Sequence, residues 1–225
     1  MLVPVLQRKR NGLWAKPISV YYGLNPKTGD APVEYEYMSG LERQPLDAFF
    51  KPKAVAVVGA SDKAGSVGRA ILWNLVANPF GGTVYAVNPA RRNALGLPCY
   101  PNVTSLPERV DLAMIVSPAA GVPGVLDECI ATGVPAAIVI SAGFSEKGEA
   151  GQALEKELRL RSQEGRIRII GPNSLGVMNP CQGLNAAYAQ RIAHRGSVGF
   201  VSQSGALCAA ILDWSFHENV GFSAF

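Results

Sequence analysis

Short apolar runs alternate with longer amphipathic stretches along the chain from residue 53 onwards. The runs are five residues long and mostly rich in valine and isoleucine, which is typical of strands buried on both faces of a parallel sheet. They occupy residues 54–58, 83–87, 112–116, 136–140 and 166–170. The stretches between them predict helices near residues 66–77, 121–132 and 149–164. The alternation predicts a doubly wound parallel α/β sheet over residues 46–171.

The same pattern starts again after residue 171. It predicts a strand at residues 197–201, a helix at 206–216 and a second strand at 220–225. Because these elements cannot cover both faces of a sheet, we interpret residues 172–225 as the first third of a second α/β domain. Residues 1–45 show no sustained periodicity, and we interpret them as a poorly ordered N-terminal extension.

Composition narrows the class of protein. The 225 residues are 48% hydrophobic and 17% charged, which supports a substantial core and excludes a disordered chain. A net charge of +4 is low for a nucleic-acid binder. The four cysteines are widely spaced, so we expect neither disulfides nor a metal site. No apolar run is long enough to cross a bilayer. At the N-terminus the apolar residues precede the basic ones, which is the reverse of their order in a signal peptide. We therefore expect a cytoplasmic protein that contacts neither nucleic acid nor membranes.

The residues that follow each strand are the candidate ligand site, because ligands of doubly wound sheets lie at the carboxyl ends of the strands. The first strand runs into a glycine-rich turn that opens a helix, where backbone N–H groups and the helix dipole favour a phosphate. The glycines are too far apart for the G-x-G-x-x-G fingerprint of NAD sites. The candidate residues in this turn are Gly59, Ala60, Ser61, Gly65, Ser66, Val67 and Gly68.

The second strand ends in Asn88, Pro89, Ala90, Arg91 and Arg92. An NAD site is expected to carry an acidic residue here for the ribose hydroxyls, and this chain has two guanidinium groups instead. They suit a phosphate on the ribose, as in NADP or in coenzyme A. The alternative is that both arginines are simply solvated.

Small residues follow the third and fourth strands. Ser117 and Pro118 come after one, and Ser141, Ala142 and Gly143 come after the other. They leave room for a long, narrow ligand across the sheet edge, although ordinary tight turns have the same composition.

Four motifs in this order resemble those of the NDP-forming acyl-CoA synthetases, a superfamily that includes ADP-forming acetyl-CoA synthetase and the α subunit of succinyl-CoA synthetase. The resemblance covers residues 46–225. Two further segments, at residues 182–186 and 211–214, are similar to the synthetase-like half of bacterial protein lysine acetyltransferases. The four motifs are the Gly-Ala-Ser at residues 59–61, Ile-Ser-Ala-Gly-Phe at 140–144, Gly-Pro-Asn-Ser-Leu-Gly at 171–176 and Val-Ser-Gln-Ser-Gly-Ala-Leu at 201–207.

The resemblance implies a Rossmann-like CoA-binding domain followed by the start of a flavodoxin-like domain. The turn at residues 59–68 would hold the phosphates of CoA, and Pro89 with Arg91 or Arg92 its nucleotide end. The loops at 117–118 and 141–143 would contact the pantetheine arm. Succinyl-CoA synthetase carries a glutamate in the fourth-strand loop, where this chain has Ala142.

The resemblance also implies a reaction, in which acyl-CoA, NDP and phosphate interconvert with carboxylate, CoA and NTP through an acyl phosphate and a phosphohistidine. Ser202, Ser204 and Gly205 would form its phosphate site at a helix N-terminus, unless these serines are only an N-cap. Asn173 would add an amide donor near the acyl group. Neither His194 nor His217 matches the family histidine, and we expect both on the surface.

We therefore expect no catalytic residue in this chain, which would bind CoA or acyl-CoA while the nucleotide and Mg²⁺ bind elsewhere. Missing C-terminal domains or a nucleotide-binding subunit would supply that part, and a homo-oligomer is possible. The alternatives are an acyl-CoA-sensing region of a lysine acetyltransferase, an NAD(P)-dependent oxidoreductase fragment and a stand-alone CoA-binding protein. The sequence leaves open the acyl substrate and the choice between ADP and GDP.

Overall fold

The structure, a computed structural model, describes residues 19–20, 35–36 and 46–225. The chain divides into two units, Met1–Arg43 and Gln44–Phe225. In the first unit Ser19–Val20 and Tyr35–Glu36 pair as antiparallel strands. The rest of the predicted extension, and its predicted poor order, lie outside the described residues. Everything below concerns the second unit.

A seven-stranded sheet forms the centre of this unit. All neighbouring strands are parallel except for the antiparallel pair β3–β4 at one edge, and the order across the sheet is β3-β4-β2-β1-β5-β6-β7. Without β3 this is the strand order of Rossmann folds. In that order successive strands are added first on one side of β1 and then, starting with β5, on its other side. The strands are β1 Ala54–Val58, β2 Thr83–Val87, β3 Asn93–Ala94, β4 Leu97–Tyr100, β5 Leu112–Ile115, β6 Ala136–Val139 and β7 Arg168–Ile170.

Four helices accompany the sheet, which confirms the predicted doubly wound α/β architecture. They are α1 Asp47–Phe50, α2 Val67–Ala77, α3 Val122–Ala131 and α4 Glu149–Glu164. Short 3₁₀ turns lie at Val103–Ser105, Ala119–Gly121, Ser145–Lys147 and Pro180–Gln182.

Strand β1 is buried on both faces because helices cover both sides of the sheet. Val55 and Val57 pack in one hydrophobic core with Leu72 of α2. Ala56 packs in the other core with Leu126 of α3. A strand buried on both faces is a continuous apolar run, which is the pattern that the sequence shows.

Two elements of this sheet were not predicted. Strands β3 and β4, at one side of the sheet, lack a run of β-branched residues, and β4 contains Pro98, which has no N–H to donate to a ladder. β7 also begins two residues later than predicted. The reason is that Arg166 has a positive φ of 53°, which an extended strand does not allow.

An unpredicted hairpin follows β7. Its strands, β8 Gly176–Asn179 and β9 Leu184–Ala187, are antiparallel. The Asn74 side chain of α2 fastens the end of this hairpin, since its amide donates to the carbonyl oxygens of Ala187 at 2.9 Å and Ala189 at 2.7 Å. The hairpin is therefore packed directly against the first helix of the main sheet.

The last elements confirm the predicted strand, helix and strand. They are β10 Arg195–Gly199, α5 Gly205–His217 and β11 Phe222–Ala224, with β10 parallel to β11. A third hydrophobic cluster joins them to the hairpin through Met178, Leu212 and Phe222. Among the described helices, none has the length and apolar character that crossing a membrane requires.

Candidate functional site

The turn after β1 brings the chain unusually close to its neighbours. Gly59 has a φ of 92°, and a Cβ atom there would lie 3.0 Å from the backbone of Val116, which follows β5. A Cβ atom on Gly68 would lie 2.1 Å from the carbonyl oxygen of Gly59. Glycine at both positions lets the N-terminus of α2 abut the carboxyl end of β1, at the point where the strand order reverses.

Serine side chains hold this turn in shape. The Ser61 hydroxyl accepts the N–H of Lys63 at 3.1 Å. The Ser66 hydroxyl donates to the carbonyl oxygen of Lys63 at 2.8 Å and accepts the N–H of Arg69 at 3.3 Å, so Ser66 is the N-cap of α2. The first-turn N–H groups of a helix carry a partial positive charge, which is suited to an anion.

Asn88 joins the loop after β2 to this turn. Its side-chain amide donates to the carbonyl oxygen of Ala60 at 2.8 Å, and its side-chain oxygen accepts the N–H of Ala90 at 2.9 Å. The two predicted phosphate-binding loops are thus connected through hydrogen bonds and lie side by side at the same sheet edge.

The structure distinguishes the two arginines of this loop. The Arg91 guanidinium forms an ion pair with the Asp62 carboxylate on the glycine-rich turn, whereas Arg92 is exposed. The carbonyl oxygen of Asp62 also accepts a hydrogen bond from Arg69 at 2.9 Å. Sequence reasoning missed Asp62, because nothing in its spacing shows that an arginine 29 residues later reaches it.

The loops after β5, β6 and β7 are also joined. The Ser141 hydroxyl donates to the carbonyl oxygen of Ser117 at 2.5 Å, and the carbonyl oxygen of Ser141 accepts the N–H of Asn173 at 2.9 Å. The Ser117 hydroxyl oxygen is buried and has no hydrogen-bond partner in the described part of the chain. A buried hydroxyl without a partner is uncommon and is consistent with a ligand-binding role.

These loops line a cavity of about 550 Å³, which we call the small cavity. Gly205, at the start of α5, lines it from the second predicted domain. Seven of the predicted site residues therefore converge on one space, while Tyr188 and Leu175 line it and were not predicted. The predicted residues that line it are Val67, Ser117, Pro118, Ser141, Ala142 and Asn173, together with Gly205.

A carboxylate that does not line the cavity holds the loop after β6 in place. Glu146 accepts the N–H groups of Gly143 at 2.5 Å and Phe144 at 3.1 Å. These backbone hydrogen bonds, that of Gly143 above all, lower the pKa of Glu146. Sequence reasoning missed this residue, whose only signal is an acidic side chain three positions after a glycine.

Ser204, directly before α5, has the N-cap geometry that was the alternative interpretation. The Ser204 hydroxyl accepts the N–H of Leu207 at 3.2 Å, and the Ser202 hydroxyl accepts the N–H of Ser204 at 3.1 Å. Each hydroxyl still has a hydrogen to donate, so capping and anion binding are compatible. His194 and His217 are exposed, as predicted, and no group of metal-ligating side chains occurs among the described residues.

The comparisons with known proteins identify the family. Residues 53–180, more than half of the chain, match the model of the CoA binding domain. The chain belongs to the CoA binding domain family. Residues 195–225 match the succinyl-CoA ligase like flavodoxin domain. The resemblance to NDP-forming acyl-CoA synthetases, inferred from the four motifs, is thereby confirmed.

Several curated relatives are acetate–CoA ligases. The chain is 47% identical over 178 residues to the ADP-forming acetate–CoA ligase I of Archaeoglobus fulgidus, covering 79% of this chain and 26% of that protein. It is 43% identical over 180 residues to the α subunit of the ADP-forming acetate–CoA ligase II of Pyrococcus furiosus, covering 80% and 39%. The chain therefore spans between a quarter and two fifths of these relatives.

A solved structure confirms the fold. The dinucleotide forming acetyl-coenzyme A synthetase 1 of Ca. Korarchaeum cryptofilum, in complex with phosphate and ADP, superposes with a TM-score of 0.76 at 41% identity. The superposition covers 80% of this chain and 38% of that chain. The chain thus matches the CoA-binding part of ADP-forming synthetases, and the comparisons give no support to the acetyltransferase alternative.

Proposed function

We propose that this chain binds CoA or acyl-CoA as the CoA-binding part of an ADP-forming acyl-CoA synthetase. The observation that carries the proposal is the small cavity. It lies at the carboxyl edge of the sheet, beside the strand reversal, and is lined both by the loops of the first domain and by Gly205. A thiol held there lies next to the segment of the second domain that resembles a phosphate site.

The ligand is assigned to the loops in order. The phosphates of CoA bind at the turn formed by residues 59–68, where the N-terminus of α2 favours anions. The ribose phosphate binds near Asn88, Pro89 and Arg91, with Arg92 further out. The pantetheine arm runs past residues 117–118 and 141–143 into the small cavity. The Ser117 hydroxyl, which is buried and has no hydrogen-bond partner among the described residues, bonds an amide of that arm.

The remaining steps of synthesis belong to parts that these relatives contain and this chain does not span. We assign the phosphoryl-carrying histidine, the nucleotide and Mg²⁺ to those parts. The relative from P. furiosus is named as an α subunit, which supports a separate partner subunit. Ser202, Ser204, Gly205 and Asn173 then form the phosphate and acyl side of the shared site. A homo-oligomer and a cytoplasmic location remain part of the proposal.

Isothermal titration of the chain with CoA, desulfo-CoA, NADP and NAD tests this function. We expect both CoA compounds to bind and neither nicotinamide cofactor to do so. Arg91→Ala combined with Arg92→Ala should weaken CoA binding. The matched control, Arg159→Ala with Arg168→Ala, removes two exposed arginines away from the carboxyl edge and should leave it unchanged. Binding of NADP alone would overturn the proposal.

A further inference from the structure

An asparagine inside helix α2 is almost inaccessible to solvent. Asn74 is 5% exposed, although asparagine is a poor helix former and most asparagines lie on the surfaces of proteins. A buried amide that made no hydrogen bonds would lower the stability of the fold. The partners of Asn74 therefore explain why an asparagine is buried at this position.

The Asn74 amide bonds the chain on either side of Tyr188. Its nitrogen donates to the carbonyl oxygen of Ala187 at 2.9 Å and to that of Ala189 at 2.7 Å. The N–H of Tyr188 itself donates to the carbonyl oxygen of Leu175 at 2.7 Å. Three consecutive residues are thus held by hydrogen bonds to other parts of the chain, which gives the backbone of Tyr188 a defined position.

The Tyr188 side chain lies at the thiol end of the proposed CoA site. It lines the small cavity together with Ser117, Ser141 and Asn173. Tyr188 is 47% exposed, so its ring is open to contact with a ligand. Tyr188 and Leu175 also line a larger cavity of about 1020 Å³ between α2 and α5, and they therefore lie where the two spaces meet. A ring held at this boundary limits how far the end of the pantetheine arm can move.

Helix α2 connects this boundary to the phosphate end of the site. Ser66, its N-cap, belongs to the turn that we propose for the phosphates of CoA. Asn74 lies eight residues further on, about 12 Å along the helix axis. The pantetheine arm has a limited length between its phosphate and its thiol. One helix therefore sets the distance between the turn that holds the phosphates and the Tyr188 ring.

We propose that Asn74 is a positioning residue of the CoA site, an inference that rests on the proposed function. Asn74 holds Tyr188 at the thiol end of the pantetheine arm, and the Tyr188 ring makes the contact with the arm. Loss of either side chain leaves the nucleotide end bound and the thiol end free to move. The affinity that the arm adds should therefore fall, while the affinity of the nucleotide end should not.

Titration calorimetry with CoA and with adenosine 3′,5′-bisphosphate tests the inference, because the second compound carries the nucleotide end of CoA without the pantetheine arm. We expect the unchanged chain to bind CoA more tightly than the bisphosphate. Tyr188→Ala and Asn74→Leu should each weaken CoA binding about three- to tenfold and leave bisphosphate binding unchanged. Asn78→Leu is the matched control, because the Asn78 amide bonds a carbonyl oxygen of α2 itself, at 2.9 Å. It should leave both affinities unchanged.

The double variant distinguishes positioning from a general effect on the fold. If Asn74 acts through Tyr188, Asn74→Leu should weaken CoA binding no further in a chain that already carries Tyr188→Ala. Additive losses, or an equal loss of CoA and bisphosphate binding, would show that Asn74 does not act through Tyr188. Asn74→Ser, which keeps one donor, is the milder variant if Asn74→Leu does not fold, and it should show the same selective loss.

The outcomes also separate this inference from the proposed function. If neither compound binds the unchanged chain, the proposed function fails and the inference fails with it. If CoA binds and Tyr188→Ala binds it equally well, the CoA site stands and only the role of Tyr188 and Asn74 is wrong. CoA binding no tighter than that of the bisphosphate would likewise contradict a contact with the arm.

Discussion

Arg91 and Asp62 form an ion pair that links the loop after β2 to the glycine-rich turn after β1. Both side chains are partly exposed, so the pair contributes little to stability, about 0 to 1 kcal/mol. Its importance lies in its position. The carboxylate of Asp62 neutralises the guanidinium group that we propose binds the ribose phosphate of CoA.

Asp62→Asn should therefore strengthen CoA binding by roughly two- to fivefold, because Arg91 no longer has a competing carboxylate. The gain should shrink at high salt. Titration calorimetry at two salt concentrations measures both effects. Asp127→Asn is the matched control, since Asp127 pairs with Arg161 at 2.9 Å on the helices. Weaker binding by Asp62→Asn would mean that Asp62 positions Arg91 rather than competing for it.

Gly68→Ala should destabilise the chain by about 1 to 3 kcal/mol, because the new methyl group would meet the carbonyl oxygen of Gly59 at 2.1 Å and push α2 away from β1. CoA binding should weaken with it. In α3, Gly124 has open space around its Cβ position, so Gly124→Ala should be neutral or stabilising by up to about 1 kcal/mol. Urea unfolding measures both, and equal stability of the two variants would contradict the packing argument.

Glu146 should make the loop at residues 141–144 sensitive to acid. Its pKa is lowered by the hydrogen bond from Gly143, so the contribution of the carboxylate is present above the ordinary glutamate pKa of about 4.3 and is lost as the pH falls through the lower folded value. The amide proton resonance of Gly143, followed by NMR between pH 2 and 6, should report this titration. Glu146→Gln should remove it and Glu164→Gln should not.

Cys129 reports on the core of the sheet. Burial raises the pKa of its thiol to about 12, while Cys181 is exposed. At pH 8 iodoacetamide should modify Cys181 in the native chain and leave Cys129 unmodified until urea unfolds the protein. Mass spectrometry of the modified peptides distinguishes the two sites. Rapid modification of native Cys129 would show that α3 does not pack on the sheet as described.

The central part of the fold could be predicted because its signals are local. β1 is an unbroken apolar run, and a strand buried on both faces requires that composition. Strand β4 could not be found in this way, because its pairing with β2 is a long-range contact and Pro98 argues locally against a strand. The hairpin at residues 176–187 was not predicted for a similar reason. Its two strands are short, with glycine at the start and in the turn, and show little alternation of apolar and polar residues.

The candidate site shows the same division. Gly59, Ser117 and Ser141 could be predicted because the end of a parallel strand is a known place for ligands. Asp62 and Tyr188 could not, because their importance depends on partners far along the chain, Arg91 in one case and Leu175 in the other.

The proposed CoA site is best tested by hydrogen exchange of the chain with and without CoA, because the exchange of each loop is measured separately. We expect CoA to slow exchange of the amides in residues 59–68, 88–92, 117–118 and 141–143 and to leave the opposite end of the sheet unaffected. Slowed exchange confined to other segments, or no change at saturating CoA, would contradict a CoA site at the carboxyl edge.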